Sequence, residues 1–142
     1  MNAKRTIGLR GWTLPAACAV AALFMPLAAG QVQAAEKIRL IVDFADGVQV
    51  HFTNLKVAEK STAIDLLKAA EKHSRGIKST VRGSGQTALV TSIGKQKNEG
   101  RGRDAKNWLY YVNEQRAEIG AGVYELQPGD GIMWKFDTLR QE

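Results

Sequence analysis

The stretch from Lys106 to Asp137 limits the fold more than any other part of the chain. Lys106-Asn107-Trp108-Leu109-Tyr110-Tyr111-Val112-Asn113 and Gly131-Ile132-Met133-Trp134-Lys135-Phe136-Asp137 are rich in the β-branched and aromatic residues that suit a pleated, half-buried surface. Two turns lie between them, Asn113-Glu114-Gln115-Arg116 and Gln127-Pro128-Gly129-Asp130-Gly131. In the second, Pro presets φ and Gly accepts positive φ. The stretch holds two of the three Trp, all three Tyr and one of the four Phe. The remaining residues therefore have to supply a surface on which those rings can pack.

The first 34 residues stand outside the fold. Lys4, Arg5 and Arg10 form a positive start, Thr13 to Ala29 is apolar and Ala-rich, and Val32-Gln33-Ala34 places small or modest residues where a signal peptidase cuts. Cleavage is expected after Ala34, with Ala35 the near alternative, so the product is exported to the periplasm or the medium. Pro15, Pro26 and Gly30 interrupt the apolar run below the roughly 20 clean residues of a membrane span, so no stable span is expected after cleavage. Cys18 is the only cysteine and lies inside this segment, so the mature chain has neither a disulfide nor a thiolate. Removing 34 of 142 residues leaves 108, enough for a single domain over 35–142. The leader takes three basic residues and no acidic one, leaving 17 Lys+Arg against 14 Asp+Glu, so the net charge falls from +6 to +3. That balance gives no reason to expect nucleic acid as a partner.

Within the mature chain, Ile38, Leu40, Val42 and Phe44 alternate with Lys37, Arg39, Ile41 and Asp43, Asp46-Gly47 signals a two-residue turn, and Val48, Val50 and Phe52 alternate again. This predicts an antiparallel hairpin over 37–57 with one face on a core. Thr62 and Asp65 form a capping-box pair ahead of a helix expected over 62–74, where Ile64, Leu67 and Ala70 make a stripe widened by Ala63 and Leu66. Further strands are expected at 77–82 and 87–93. Gly94 to Lys106 then reads as a polar loop of thirteen residues, five basic and two acidic, either solvated or anion-binding. One helix across one face of a mixed, mostly antiparallel sheet is an α+β arrangement, and β-grasp is its most economical topology for this order.

The mature chain resembles the C-terminal domain of the cobalamin carriers (transcobalamin and intrinsic factor) and related bacterial domains. The residues that carry the resemblance are the opening hairpin, Ala58 to Ala70, Val90-Thr91-Ser92-Ile93, Trp108-Leu109-Tyr110-Tyr111-Val112-Asn113, Gly122-Val123-Tyr124, Leu126-Gln127-Pro128-Gly129-Asp130 and Ile132-Met133-Trp134. The resemblance implies a β-grasp ligand-binding module and makes cobalamin, or another flat small molecule, the possible ligand. In the carriers this domain closes over cobalamin while a larger helical domain holds the other side. A chain of this length accommodates the small domain alone, so a separate helical partner would have to complete such a site.

The candidate ligand-binding residues are Trp108, Tyr110, Tyr111, Asn113 and Tyr124. Strand alternation puts Trp108, Tyr110 and Val112 on one face and Leu109 and Tyr111 on the other. One helix buries only one face, so one set stays partly open to stack on a flat ligand or a partner protein. Core and ligand roles are equally open for Trp108, whereas Trp134 belongs with the core. Asn113 tolerates the left-handed conformation a turn needs. His51 and His73 are the only histidines, and no spacing joins them to a carboxylate as a metal site requires. No nucleophile elbow, zinc-binding motif or phosphate cradle is present, so no catalytic residue is assigned. The expectation is an exported, non-catalytic binding module. The alternative is a protein–protein or surface-attachment module that uses the exposed sheet face or edge.

Overall fold

The structure, a computed structural model, describes residues 37–139. The leader expected over 1–34, with Cys18, lies outside the described residues. Strand β1 (Arg39–Asp43) pairs antiparallel with β2 (Gln49–Phe52), from Leu40 opposite Phe52 to Asp43 opposite Gln49. Their connection is wider than the two-residue turn read from Asp46-Gly47. Phe44 N–H closes it on the Val48 carbonyl at 3.0 Å, and Ala45 (φ 59°) and Gly47 (φ 91°) are both left-handed. The two aspartates hold this wider loop: Asp43 accepts from the Ala45 N–H at 2.8 Å and Asp46 from the Val48 N–H at 3.0 Å. Val48 consequently sits at the exposed tip and not on the core face.

Helix α1 (Ala63–Glu71) begins where the capping box predicts. Thr62 Oγ1 accepts from the Asp65 N–H at 3.3 Å, and the Asp65 carboxylate accepts from the Thr62 N–H at 2.8 Å. The helix stops before residue 74 because single tight turns replace its ladder. His73 N–H bonds back to the Ala70 carbonyl at 3.2 Å and Gly76 N–H to the His73 carbonyl at 2.8 Å. At Gly76 the chain folds over the helix end so closely that a Cβ would lie 2.3 Å from the Glu71 carbonyl oxygen. Only glycine fits that approach.

The aromatic stretch forms β6 (Lys106–Val112), the two-residue β7 (Gln115–Arg116) and β8 (Gly131–Thr138). β8 lies at the centre of a five-stranded sheet of order β2-β1-β8-β6-β7, parallel to β1 and antiparallel to β6. A parallel pair of first and last strands with a helix laid across one face is the β-grasp arrangement. Alternation then decides which residues the helix covers. Leu40 and Val42 of β1, Trp108 and Tyr110 of β6, and Ile132, Trp134 and Phe136 of β8 are buried with Ala63, Ile64, Leu66, Leu67 and Ala70 of α1.

A second sheet, of order β3-β4-β5, is built from β3 (Ser79–Arg82), β4 (Leu89–Ile93) and β5 (Gln96–Lys97), with a single 3₁₀ turn at Gly85–Thr87 between the first two. Buried Val90 and Ile93 are three residues apart, which strict alternation forbids. A β-bulge resolves this: Val81 pairs with Val90 and Thr80 with Ser92, so Thr91 is the extra residue, and its hydroxyl donates to the Thr80 carbonyl at 3.1 Å. The bulge lets both apolar side chains reach the common core.

A cleft between the two sheets

The polar stretch read as a thirteen-residue loop is held in place by its own side chains. A Gly94-Lys95 turn, with Gly94 at φ 60°, returns the chain as β5, and Asn98 then spans the gap between the sheets. Its amide nitrogen donates to the Val90 carbonyl at 2.9 Å, its amide oxygen accepts from the Trp108 N–H at 2.8 Å, and its own N–H bonds the Thr91 carbonyl at 2.9 Å. Asn107 does the same further along, exchanging bonds with the carbonyl (3.0 Å) and N–H (3.2 Å) of Gly100. Glu99 accepts from the Lys106 N–H at 2.7 Å. These side chains stand in for the neighbouring strand that the first half of β6 lacks.

The result is a cleft of about 730 Å³ whose walls come from β3 and β4 (Thr80, Arg82, Leu89, Thr91), from β5 and its loop (Lys97, Asn98, Arg101), and from Leu109 and Leu139. That size falls within the range of small-molecule sites. Leu89 and Leu139 are 54% and 52% exposed, large apolar side chains left in solvent on one concave surface. Arg82, Lys97 and Arg101 line the same space, and among the described residues no acidic one does.

The five residues expected to bind ligand do not form one site. Trp108 and Tyr110 face the helix and are buried. The Trp108 ring packs edge-on against Phe44 and tilted against Phe136, and its Nε1–H donates to the Gln96 carbonyl at 3.0 Å. Trp108 is 4% exposed and borders the cleft. Tyr110 packs on Trp134 and donates its hydroxyl to the Ile119 carbonyl, and burial raises its pKa. The rings needed for stacking are thus already used inside the protein. Tyr111 is half-buried on the open face of the sheet, in register with Met133, which is in turn opposite Ile41. Beside this apolar row Lys135 and Asp137 form an ion pair at 2.8 Å, which raises the lysine pKa and lowers that of the aspartate.

Asn113 and Tyr124 do converge, on Asp130. This is the one buried charged or polar residue among the described residues, and sequence reading had placed it only in a turn. Its carboxylate accepts from Asn113 Nδ2 at 3.0 Å, the Tyr124 hydroxyl at 2.8 Å and the Gln127 N–H at 2.8 Å. Asn113 (φ 49°) and Glu114 (φ 70°) form the left-handed pair of a two-residue hairpin turn between β6 and β7, and Asn113 Oδ1 accepts from the Gly131 N–H at 2.8 Å. Burial first, then the hydrogen bond to Asp130 and its charge, push the Tyr124 pKa up to about 12. The phenol therefore stays protonated and donating. Every polar contact of this cluster is internal, and its chemistry is that of a lock on two turns.

Sequence reading did not find Arg82, Leu89, Asn98 or Leu139. The basic loop and the strand at 87–93 were visible, but their meeting with Leu109 depends on the bulge and on the Asn98 bridge. Among the described residues no three His, Cys, Asp or Glu side chains come together as a metal site would require, and no helix is long and apolar enough to cross a membrane.

Comparison with known proteins places the fold. A Ruminococcus gnavus protein crystallised as a candidate metal-binding protein superposes with a TM-score of 0.53 at 10% identity, over 74% of this chain and 99% of that one. Haptocorrin in complex with Cbi superposes with a TM-score of 0.58 at 17% identity, over 71% of this chain and 25% of that one. The chain thus spans about a quarter of haptocorrin. At these identities the likeness is one of fold, and at that level it meets the resemblance to the carriers. No curated protein matches the sequence. A family profile does match residues 60–138, more than half of the chain, and the protein therefore belongs to the family described as Domain of unknown function (DUF4430).

Proposed function

We propose that this domain is an exported, non-catalytic module that binds a flat, amphipathic small molecule in the cleft between its two sheets, with corrinoids the first class to test. The observation that carries the reading is the convergence of exposed Leu89 and Leu139 with Leu109 in a concave space of about 730 Å³. Haptocorrin, which shares the fold, was crystallised with Cbi, and this supports a ligand of that class. The leader sequence supports export. The metal-binding description of the Ruminococcus gnavus protein finds no donor set among the residues described here. The core uses the rings of Trp108 and Tyr110, so apolar contact with a ligand falls to the leucines that line the cleft. A competing reading, a protein partner, is favoured by the apolar row Ile41–Met133–Tyr111 on the uncovered sheet face and by β2 at the sheet edge.

Isothermal titration with cobinamide and with cobalamin separates these readings. The proposal expects saturable binding by at least one corrinoid, lost in Leu109→Arg and Leu139→Arg while the circular dichroism spectrum is unchanged. Binding that survives both substitutions places the site elsewhere. No saturation by either corrinoid, and no binding of any flat amphipathic probe, gives way to the protein-partner reading, for which Tyr111→Glu is the test in a pull-down from the cell envelope. Export is checked by the mass of the secreted chain, expected to begin at Ala35.

A further inference from the structure

We infer that the ligand of this cleft carries an anionic group, held by Arg82, Lys97 and Arg101 while its apolar body lies on Leu89, Leu109 and Leu139. The inference rests on the cleft being the ligand site and adds the charge class of what enters it. Three cations line the space, and among the described residues no carboxylate lines it with them. Among the described residues the single ion pair is Lys135–Asp137 on the sheet face, so none of the three cations has a salt-bridge partner within that set. Glu99, on the same loop, accepts from the Lys106 backbone N–H.

The other polar groups of the cleft are largely spoken for. Both ends of the Asn98 amide and both ends of the Asn107 amide bond backbone groups, and the Thr91 hydroxyl donates to the Thr80 carbonyl. An incoming molecule therefore meets free guanidinium and ammonium donors beside exposed leucine, not free amides. Arg82 and Leu89 are register partners at one end of β3 and β4, while Lys97 pairs with Ser92 at the other. A cation thus stands at each end of the β3-β4-β5 surface, with Leu89 beside Arg82 at the first. A concave site with one sign of charge and low-dielectric walls concentrates counter-ions, and guanidinium groups form their strongest hydrogen bonds with carboxylate, sulfonate or phosphate oxygens. The chemistry points to an organic anion with a flat apolar body. An uncharged molecule of the same shape leaves the cations unused.

Two fluorescent probes of nearly one shape test this, anilinonaphthalene sulfonate and the uncharged phenylnaphthylamine, titrated into the chain from Ala35 to Glu142. The proposal expects the sulfonate to bind more tightly and its affinity to fall with added sodium chloride, with the neutral probe indifferent to salt. The double variant Arg82→Gln/Arg101→Gln is expected to weaken the sulfonate about tenfold, the low end for charged hydrogen bonds at an open site, and to leave the neutral probe unchanged. Leu139→Asp, at an exposed position, removes an apolar contact of both probes and brings a carboxylate into the cleft, and is expected to weaken both, the sulfonate more than the neutral probe. Equal, salt-independent binding of both probes with no effect of the arginine substitutions overturns the charge inference and leaves the cleft standing. Binding of neither probe overturns the cleft itself.

Discussion

Asn98→Ala removes the bridge on which the cleft depends, and its cost follows from the bonds it breaks. Two are lost: the one from Asn98 Nδ2 to the Val90 carbonyl at 2.9 Å and the one from the Trp108 N–H to Asn98 Oδ1 at 2.8 Å. The backbone bond from Asn98 N–H to the Thr91 carbonyl remains, because alanine keeps the N–H. Both lost bonds are partly buried, so each counts at about 1 kcal/mol net and the substitution at ~2 kcal/mol. For a domain of this size that lowers the melting temperature by roughly 8–16 °C. Asn98→Asp divides the effect: a carboxylate still accepts from the Trp108 N–H, but its second oxygen faces the Val90 carbonyl with no proton between them, so less than half of the loss is expected to return at neutral pH. The assay is thermal unfolding followed by circular dichroism at 222 nm, with hydrogen exchange of the Trp108 amide as the local readout. In Asn98→Ala that amide is expected to exchange faster relative to the rest of β6. A melting temperature within 2 °C of the parent, with the Trp108 amide still protected, would refute the reasoning and show that the sheets are held by core packing alone.

Other substitutions probe other links. Trp134 Nε1 is buried without a hydrogen-bond partner, whereas Trp108 Nε1 is bonded to the Gln96 carbonyl. Trp134→Phe should therefore cost less stability than Trp108→Phe, by about 1 kcal/mol in chemical denaturation. Gly122→Ala places a Cβ 2.3 Å from the Gly85 carbonyl oxygen and 2.7 Å from the Ala88 Cβ, so a loss of about 1–3 kcal/mol is expected from the forced backbone shift, read by the same denaturation. Thr62→Ala removes the helix cap and should cost ~1 kcal/mol. The bonds from the Thr62 N–H and hydroxyl lower the Asp65 pKa below its ordinary 3.8, so the stability Asp65 contributes is present above that value and lost as pH falls through the lower folded value. Asp65→Asn is therefore expected to be less stable than the parent at neutral pH and to converge with it in acid, as measured by unfolding midpoints across that range.

Most of the framework was legible in residue patterns because each pattern has a direct physical cause. The alternation in Ile38 to Phe44 and Trp108 to Val112 matched the faces observed, and Thr62 with Asp65 marked the helix start. The mixed α+β sheet with one helix on one face followed from the order of these elements. Three features were not legible. Asp46-Gly47 carries a two-residue turn signal, but Asp43 and Asp46 both bond loop N–H groups and hold the connection wider. Asp130 looked like turn chemistry because nothing local shows that Asn113 and Tyr124, 17 and 6 residues away, will converge on it. The cleft itself arises from a bulge at Thr91 and a side-chain bridge at Asn98, both long-range matches that leave no local periodicity. The aromatic residues drew attention to β6, but its rings pack inward, and its half-buried Leu109 faces the cleft.

The most direct test of the central claim is amide chemical-shift mapping of the ¹⁵N-labelled protein on titration with cobalamin, cobinamide and the two naphthalene probes. The account predicts saturable shifts for at least one of them that cluster at Arg82, Leu89, Asn98, Arg101, Leu109 and Leu139, and that leave Ile41, Tyr111 and Met133 on the open sheet face unmoved. Shifts confined to the open face or to the β2 edge, or none at saturating probe, would contradict it.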